Sequence, residues 1–150
     1  MKLLVDQDDR PMLLCYQSFG KENGIGIEII VRGARVSNNS VTGGFGYGIA
    51  VQGTPEAQIE GNKINGVRKV GILFACDNGR NRCNASGSKV EKNEIRGTTV
   101  AGIQFQSRWI GSRIVNNDIA MQSGEAILES AKREISVVEG NVTDRQAKSR

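Results

Sequence analysis

GIAVQGTPEAQIEGNKING, residues 48–66, carries the pattern on which the whole chain is built. A small residue precedes two aliphatic residues spaced by one, a turn follows, and then comes aliphatic-x-x-Asn-x-aliphatic, here Ile59-Glu60-Gly61-Asn62-Lys63-Ile64. Recurrence of such a unit at a period of 20 to 50 residues is the mark of a solenoid.

The unit recurs five times. Aligned on the asparagine, the copies are VSNNSV ending at Val41, IEGNKI at Ile64, VEKNEI at Ile95, IVNNDI at Ile119 and VVEGNV at Val142. Asn39, Asn62, Asn93, Asn117 and Asn141 are therefore 23, 31, 24 and 24 residues apart. The fifth copy reads as irregular, with one extra residue between its valines and its asparagine. The partner segments place Ile27, Ile49, Ile72, Ile103 and Ile127 at steps of 22, 23, 31 and 24. Both series lengthen at the same place, so one coil carries an insertion of about eight residues.

Alternating aliphatic residues such as Ile49 and Val51 mark short strands with one face buried. Strands this short find partners only on the equivalent strand of the next coil, about 4.8 Å away. Stacking then puts the five isoleucines in one interior column, each burial worth roughly 1.5–3 kcal/mol. An asparagine tolerates the left-handed corner conformation, and its amide both donates and accepts. The spacing predicts an asparagine ladder along one corner. The expected fold is all-β: a single-stranded right-handed parallel β-helix of five to six short coils.

These Asn-x-Ile corners and Gly-Ile-x-aliphatic strands, from about residue 24 to 143, resemble the pectin-lyase-like superfamily, whose repeats occur in carbohydrate-binding proteins and sugar hydrolases. The same fold serves lyases, glycosidases, epimerases, tailspikes and adhesins, so the resemblance speaks to architecture more than to activity.

At 150 residues the chain reads as one domain, with residues 1–23 a degenerate first coil or a cap, 24–143 the coils and 144–150 a polar tail. Two apolar runs in the first 23 residues read as strands but lack the asparagine corner. Nineteen glycines suit a chain full of corners, and seven aromatics leave an aliphatic core. A net charge of +4, spread along the chain, gives a nucleic-acid partner little support, and no segment is long enough to span a membrane. The apolar run Leu3–Val5 is shorter than a signal-peptide core. The chain as it stands reads as cytoplasmic, or as extracellular if it is a piece of a larger secreted protein.

Asp6, Asp8 and Asp9 form the one local carboxylate cluster, but they lack the glycine and distal glutamate of a calcium loop. They read as a solvated turn, and no metal or cofactor is expected. The insertion, ACDNGRNRCNASGS at 75–88, holds Cys76 and Cys83, which either close a small disulfide loop or remain two loop thiols. Cys15 is left over, and an odd thiol argues mildly for a reducing compartment. Asn38, Asn84 and Asn141 open Asn-x-Ser/Thr motifs, the last expected to face inward.

The resemblance implies a substrate groove on the outer face of the Gly-Ile strands, bordered by the loops that leave them. Carried onto this sequence, that region comprises Glu28, Gln52, Leu73, Gln104 and Gln106, with Arg80 and Arg82 from the insertion and Arg108 and Trp109 from the next coil. Arginine pairs bidentately with carboxylates and tryptophan stacks on sugar rings, a set suited to an acidic polysaccharide. Residues of these types in loops also serve simply as surface and packing. No catalytic motif of the resembled enzymes matches. The weak candidates are Glu60 and Glu91, expected about 5 Å apart in neighbouring coils with Lys63 and Lys92 close by. Lys63 stacked on Glu94 reads as a rim salt bridge.

Two functions follow as expectations. One is a carbohydrate-binding or carbohydrate-active β-helix. The other is a non-catalytic structural or assembly module, tailspike- or adhesin-like. The polar tail cannot cover a coil, so a homo-oligomer through an open end, or an end cap from residues 1–23, is also expected.

Overall fold

The computed structural model describes residues 2–5, 11–14, 24–76, 84–106, 110–129 and 137–145, the first two segments as backbone only. Strands β1 (Lys2–Val5) and β2 (Pro11–Leu14) form an antiparallel pair, with Lys2 opposite Leu14. From Ile25 onward the chain winds through three strands per coil.

The first strands of successive coils, β3 (Ile25–Ile29), β6 (Tyr47–Gln52), β9 (Val70–Ala75), β12 (Ala101–Phe105) and β15 (Glu125–Glu129), make one parallel sheet. The second strands, β4 (Arg35–Ser37), β7 (Gln58–Glu60), β10 (Lys89–Glu91), β13 (Arg113–Val115) and β16 (Val137–Glu139), make another. The third, β5 (Ser40–Thr42), β8 (Lys63–Asn65), β11 (Glu94–Arg96), β14 (Asp118–Met121) and β17 (Val142–Arg145), complete it. Five strands per sheet amount to four coil-to-coil steps. The chain from Ile25 on is thus a parallel β-solenoid, and among the described residues no helix occurs.

The register fixes what faces inward. Ile27, Ile49, Ile72, Ile103 and Ile127 are direct partners, as are Val36, Ile59, Val90, Ile114 and Val138. A third column runs from Val41 through Ile64, Ile95 and Ile119 to Thr143. Phe74 and Phe105 stack inside with centroids 4.3 Å apart and planes within 4°. Eleven large side chains are almost wholly enclosed, and at roughly 1.5–3 kcal/mol each their burial dominates the favourable side of folding.

The corner asparagines are bonded in series. Asn39 Nδ2 donates to Asn62 Oδ1 (3.1 Å), Asn62 Nδ2 to Asn93 Oδ1 (3.0 Å), Asn93 Nδ2 to Asn117 Oδ1 (3.0 Å) and Asn117 Nδ2 to Asn141 Oδ1 (2.9 Å). Each acceptor also takes the backbone N–H of the preceding asparagine. A second polar column went unread in the sequence. Ala57 N–H donates to Ser88 Oγ and Ser88 N–H to Ser112 Oγ, while Ser112 Oγ donates to the Ala85 carbonyl (2.9 Å). The signal was available: Ala34, Ala57, Ser88 and Ser112 each stand one residue before their strand.

Glycine before the inward isoleucine has a steric cause. A Cβ on Gly48 would lie 2.6 Å from the Gly71 carbonyl oxygen, on Gly71 2.7 Å from that of Gly102, and on Gly102 2.8 Å from that of Ala126. Each such Cβ points at the following coil. The fifth coil has Ala126 there, and among the described residues no further coil lies beyond it.

The fifth copy differs from its sequence reading. Val138 pairs with Ile114 and Asn141 follows Asn117, so no extra residue separates valines from asparagine. The irregularity lies after the asparagine, where Thr143, itself exposed, stands in register with the inward Ile119, and Val142 stands in register with Asp118, 57% exposed. Strands β1 and β2 pair with each other in antiparallel fashion and belong to none of the three parallel sheets.

Candidate functional site

The outer face of the β3–β6–β9–β12–β15 sheet was the expected groove. Glu28, Ala50, Leu73, Gln104 and Leu128 form one outward column, since they are register partners between the inward positions. Ile25, Tyr47, Val70, Ala101 and Glu125 form a second. Ala50, Val70, Leu73, Ala75 and Ala101 make up an apolar cluster separate from the core, with Ile25, Tyr47 and Leu128 against it. Leu73 is only 5% exposed, so the middle of this face is a packed apolar floor.

Polar groups edge that floor. Gln52 and Gln104 are half-buried and Gln106 is exposed. The Gln106 N–H donates to the Phe74 carbonyl, which holds the amide-bearing side chain at the strand end. Lys69 Nζ lies 5.9 Å from the centre of the Tyr47 ring, a cation–π distance. Arg80, Arg82, Arg108 and Trp109 lie outside the described residues, as does the Asp6, Asp8 and Asp9 cluster. Cys76 is disulfide-bonded; Cys83, its expected partner, lies outside the described residues.

Glu60 and Glu91 are direct register partners, but on the outer face of the β4–β7–β10–β13–β16 sheet. The structure therefore does not bring them together with Gln104 and Gln106. Each is engaged by a cation: Lys92 Nζ is 3.1 Å from Glu60 Oε1, and Arg113 Nε is 3.7 Å from Glu91 Oε1. Lys63 stands beside Glu94 in register, yet Glu94 Oε1 lies 3.7 Å from Arg96 Nη2 on its own strand. Arg96 also bonds Asp118, and that hydrogen bond, ahead of the charge attraction, pushes the guanidinium pKa up.

At another corner Arg32 grips Glu56 with two bonds, Nε to Oε2 at 3.0 Å and Nη2 to Oε1 at 2.5 Å. The arginine hydrogen bond holds the Glu56 carboxyl below its ordinary range. Both side chains are open to water, so the pair adds little to stability. Among the described residues no group of three or more His, Cys, Asp or Glu side chains is placed to hold a metal ion.

Three parallel sheets closed around an aliphatic interior, with side chains bonded from coil to coil, define a parallel β-solenoid. The chain belongs to the right-handed β-helix family: the family model described as a right handed beta helix region matches residues 19–148. No curated protein and no solved structure matches it.

Proposed function

We propose that this is a non-catalytic, pectin-lyase-like β-helix that binds a carbohydrate chain along the outer face of its β3–β15 sheet. The observation that carries the reading is the placement of carboxylates on that face. Among the described residues, Glu28 stands in the first coil and Glu125 in the fifth, four coil steps apart. At about 4.8 Å per step that is roughly 19 Å, beyond the 5–10 Å over which a glycosidase pair works. Glutamine amides beside an apolar floor suit sugar hydroxyls and ring C–H faces. Arg80, Arg82, Arg108 and Trp109, which the family resemblance assigns to the border of that face, are the side chains that would favour an acidic chain.

The near-complete burial of Leu73 favours a second reading, a structural module whose outer face is packing surface. Calorimetry with polygalacturonate, alginate and a neutral glucan separates the two. Binding that weakens with salt, and that Trp109→Ala weakens at every salt concentration, supports the first reading, because exposed arginine pairing is screened and stacking is not. Absence of heat with all three chains supports the second. Release of unsaturated or reducing sugar ends from any of them would overturn the non-catalytic reading.

A further inference from the structure

The strands of the β4–β7–β10–β13–β16 sheet are three residues long and turn their middle residue inward, so the outer face of that sheet consists of two columns. The first residues of the strands give Arg35, Gln58, Lys89, Arg113 and Val137; the third residues give Ser37, Glu60, Glu91, Val115 and Glu139. Every charged residue of the first column is a cation, and every charged residue of the second is a carboxylate. Arg35, Glu60, Lys89, Arg113 and Glu139 are exposed.

The other two sheets do not segregate charge in this way. On the β5–β8–β11–β14–β17 sheet Lys63 stands beside Glu94 in one column and Arg96 reaches across to Asp118. The outer face of the β3–β15 sheet is largely apolar. Stacking like on like is unfavourable, yet Lys89 stands beside Arg113 and Glu60 beside Glu91, about 4.8 Å apart. Within one chain the columns offset each other through exposed contacts: Arg113 lies 3.7 Å from Glu91 and 3.8 Å from Glu139, and Glu60 takes Lys92 from the neighbouring corner at 3.1 Å.

A positive column beside a negative one is self-complementary in one orientation. A two-fold axis parallel to the solenoid lays each strand over its equivalent in a second copy, running the opposite way, and exchanges the columns. Lys89 then faces Glu91 of the other copy, Gln58 faces Glu60, and Arg113 faces Val115 with Glu91 and Glu139 one coil step to either side. A two-fold axis across the solenoid reverses the coil order but keeps the columns, so Lys89 would face Lys89 and Glu91 would face Glu91. In a closed two-fold pair the same patch serves both copies, and each contact is made twice.

We propose that this face docks a second copy of the chain, side by side with the coils parallel. The sheet face is about 24 Å tall and about 10 Å wide, well short of the roughly 800 Å² per partner of a standard interface, so the dimer is weak and exchanges freely. Exposed ion pairs hold it, and salt screens them. The carbohydrate face lies on a different sheet and stays outside the contact.

Sedimentation equilibrium on the full chain at millimolar concentration, in low and in high salt, tests this. The parent should dimerise in low salt and dissociate in high salt. Lys89→Glu and Glu91→Lys each set like charges opposite one another twice, and each should raise the dissociation constant by roughly tenfold or more. Mixed in equal amounts, the two variants present opposite charges at both places again and should associate about as tightly as the parent, a recovery that misfolded chains would not give. A parent that stays monomeric in low salt overturns the proposal, as do variants that dimerise like the parent or a mixture no tighter than either variant alone. Association indifferent to salt and to both substitutions would assign the contact to another surface, and overturns it too.

Discussion

Replacing Asn93 by alanine probes the polar column at its centre. Asn93 is 1% exposed, and its side chain makes five contacts that hold two neighbouring coils. Oδ1 accepts from Asn62 N–H and Nδ2, both at 3.0 Å, while Nδ2 donates to the carbonyls of Ile59 (2.9 Å) and Glu91 (3.0 Å) and to Asn117 Oδ1 (3.0 Å). Asn62 Nδ2 keeps its bonds to Val36 and Glu60 carbonyls, and Asn117 Oδ1 keeps the Asn93 N–H. The Ile59 carbonyl keeps its place in the parallel ladder between β7 and β10, so the group left without a partner in a buried place is the Asn62 N–H. At about 1–3 kcal/mol for one stranded group, the loss is about 1–3 kcal/mol. For a chain of this size that lowers the melting temperature by roughly 2–12 °C. Asn39, half-buried at the column's end, donates the same two bonds but accepts none from the described residues, so Asn39→Ala should cost distinctly less. Thermal unfolding followed by circular dichroism, with calorimetry to establish reversibility, measures both. Melting of Asn93→Ala together with the parent, or an equal loss in Asn39→Ala, would refute the account of the column.

Gly71→Ala should be severely destabilising, because its Cβ would meet Ile95 Cγ2 at 2.6 Å and the Gly102 carbonyl oxygen at 2.7 Å. Ala126→Gly, in the same column but with no coil described beyond it, should cost only about 1 kcal/mol, the ordinary strand penalty of glycine; equal losses in denaturant titrations would contradict the steric argument. Gly61 has φ of 66° and lies where a Cβ would come 2.5 Å from Asn38 Oδ1, so Gly61→Ala should lose stability and Asn38→Gly should restore part of it. A double-mutant cycle reading simple additivity would reject that coupling. The Glu56 carboxyl, lowered from its usual 4.5 by Arg32, is more acidic folded than unfolded. Its small contribution is then present above the unfolded value and fades as pH falls through the folded one. NMR titration should find the Glu56 midpoint depressed in the parent and normal in Arg32→Gln, and identical midpoints would count against the pair.

What the sequence by itself determined is the winding. Side chains that alternate along a strand and recur at 22 to 24 residues can satisfy their apolar faces only by stacking, so Ile27, Ile49, Ile72, Ile103 and Ile127 were bound to share a column. The insertion was legible for the same reason, since both residue series lengthen together. Period says nothing about sideways neighbours. That Glu60 and Glu91 face away from Gln104 and Gln106 depends on which of three sheets each strand joins. That Glu60 and Glu91 are held by Lys92 and Arg113 depends on side-chain reach across coils. The apolar floor of Ala50, Val70, Leu73 and Ala101 was hidden because each coil contributes only one or two of its members, which look unremarkable until stacked. The fifth coil reads differently in the structure because a lone valine carries no label for inside or outside; only pairing with Asp118 turned Val142 outward and set Thr143 in register with Ile119.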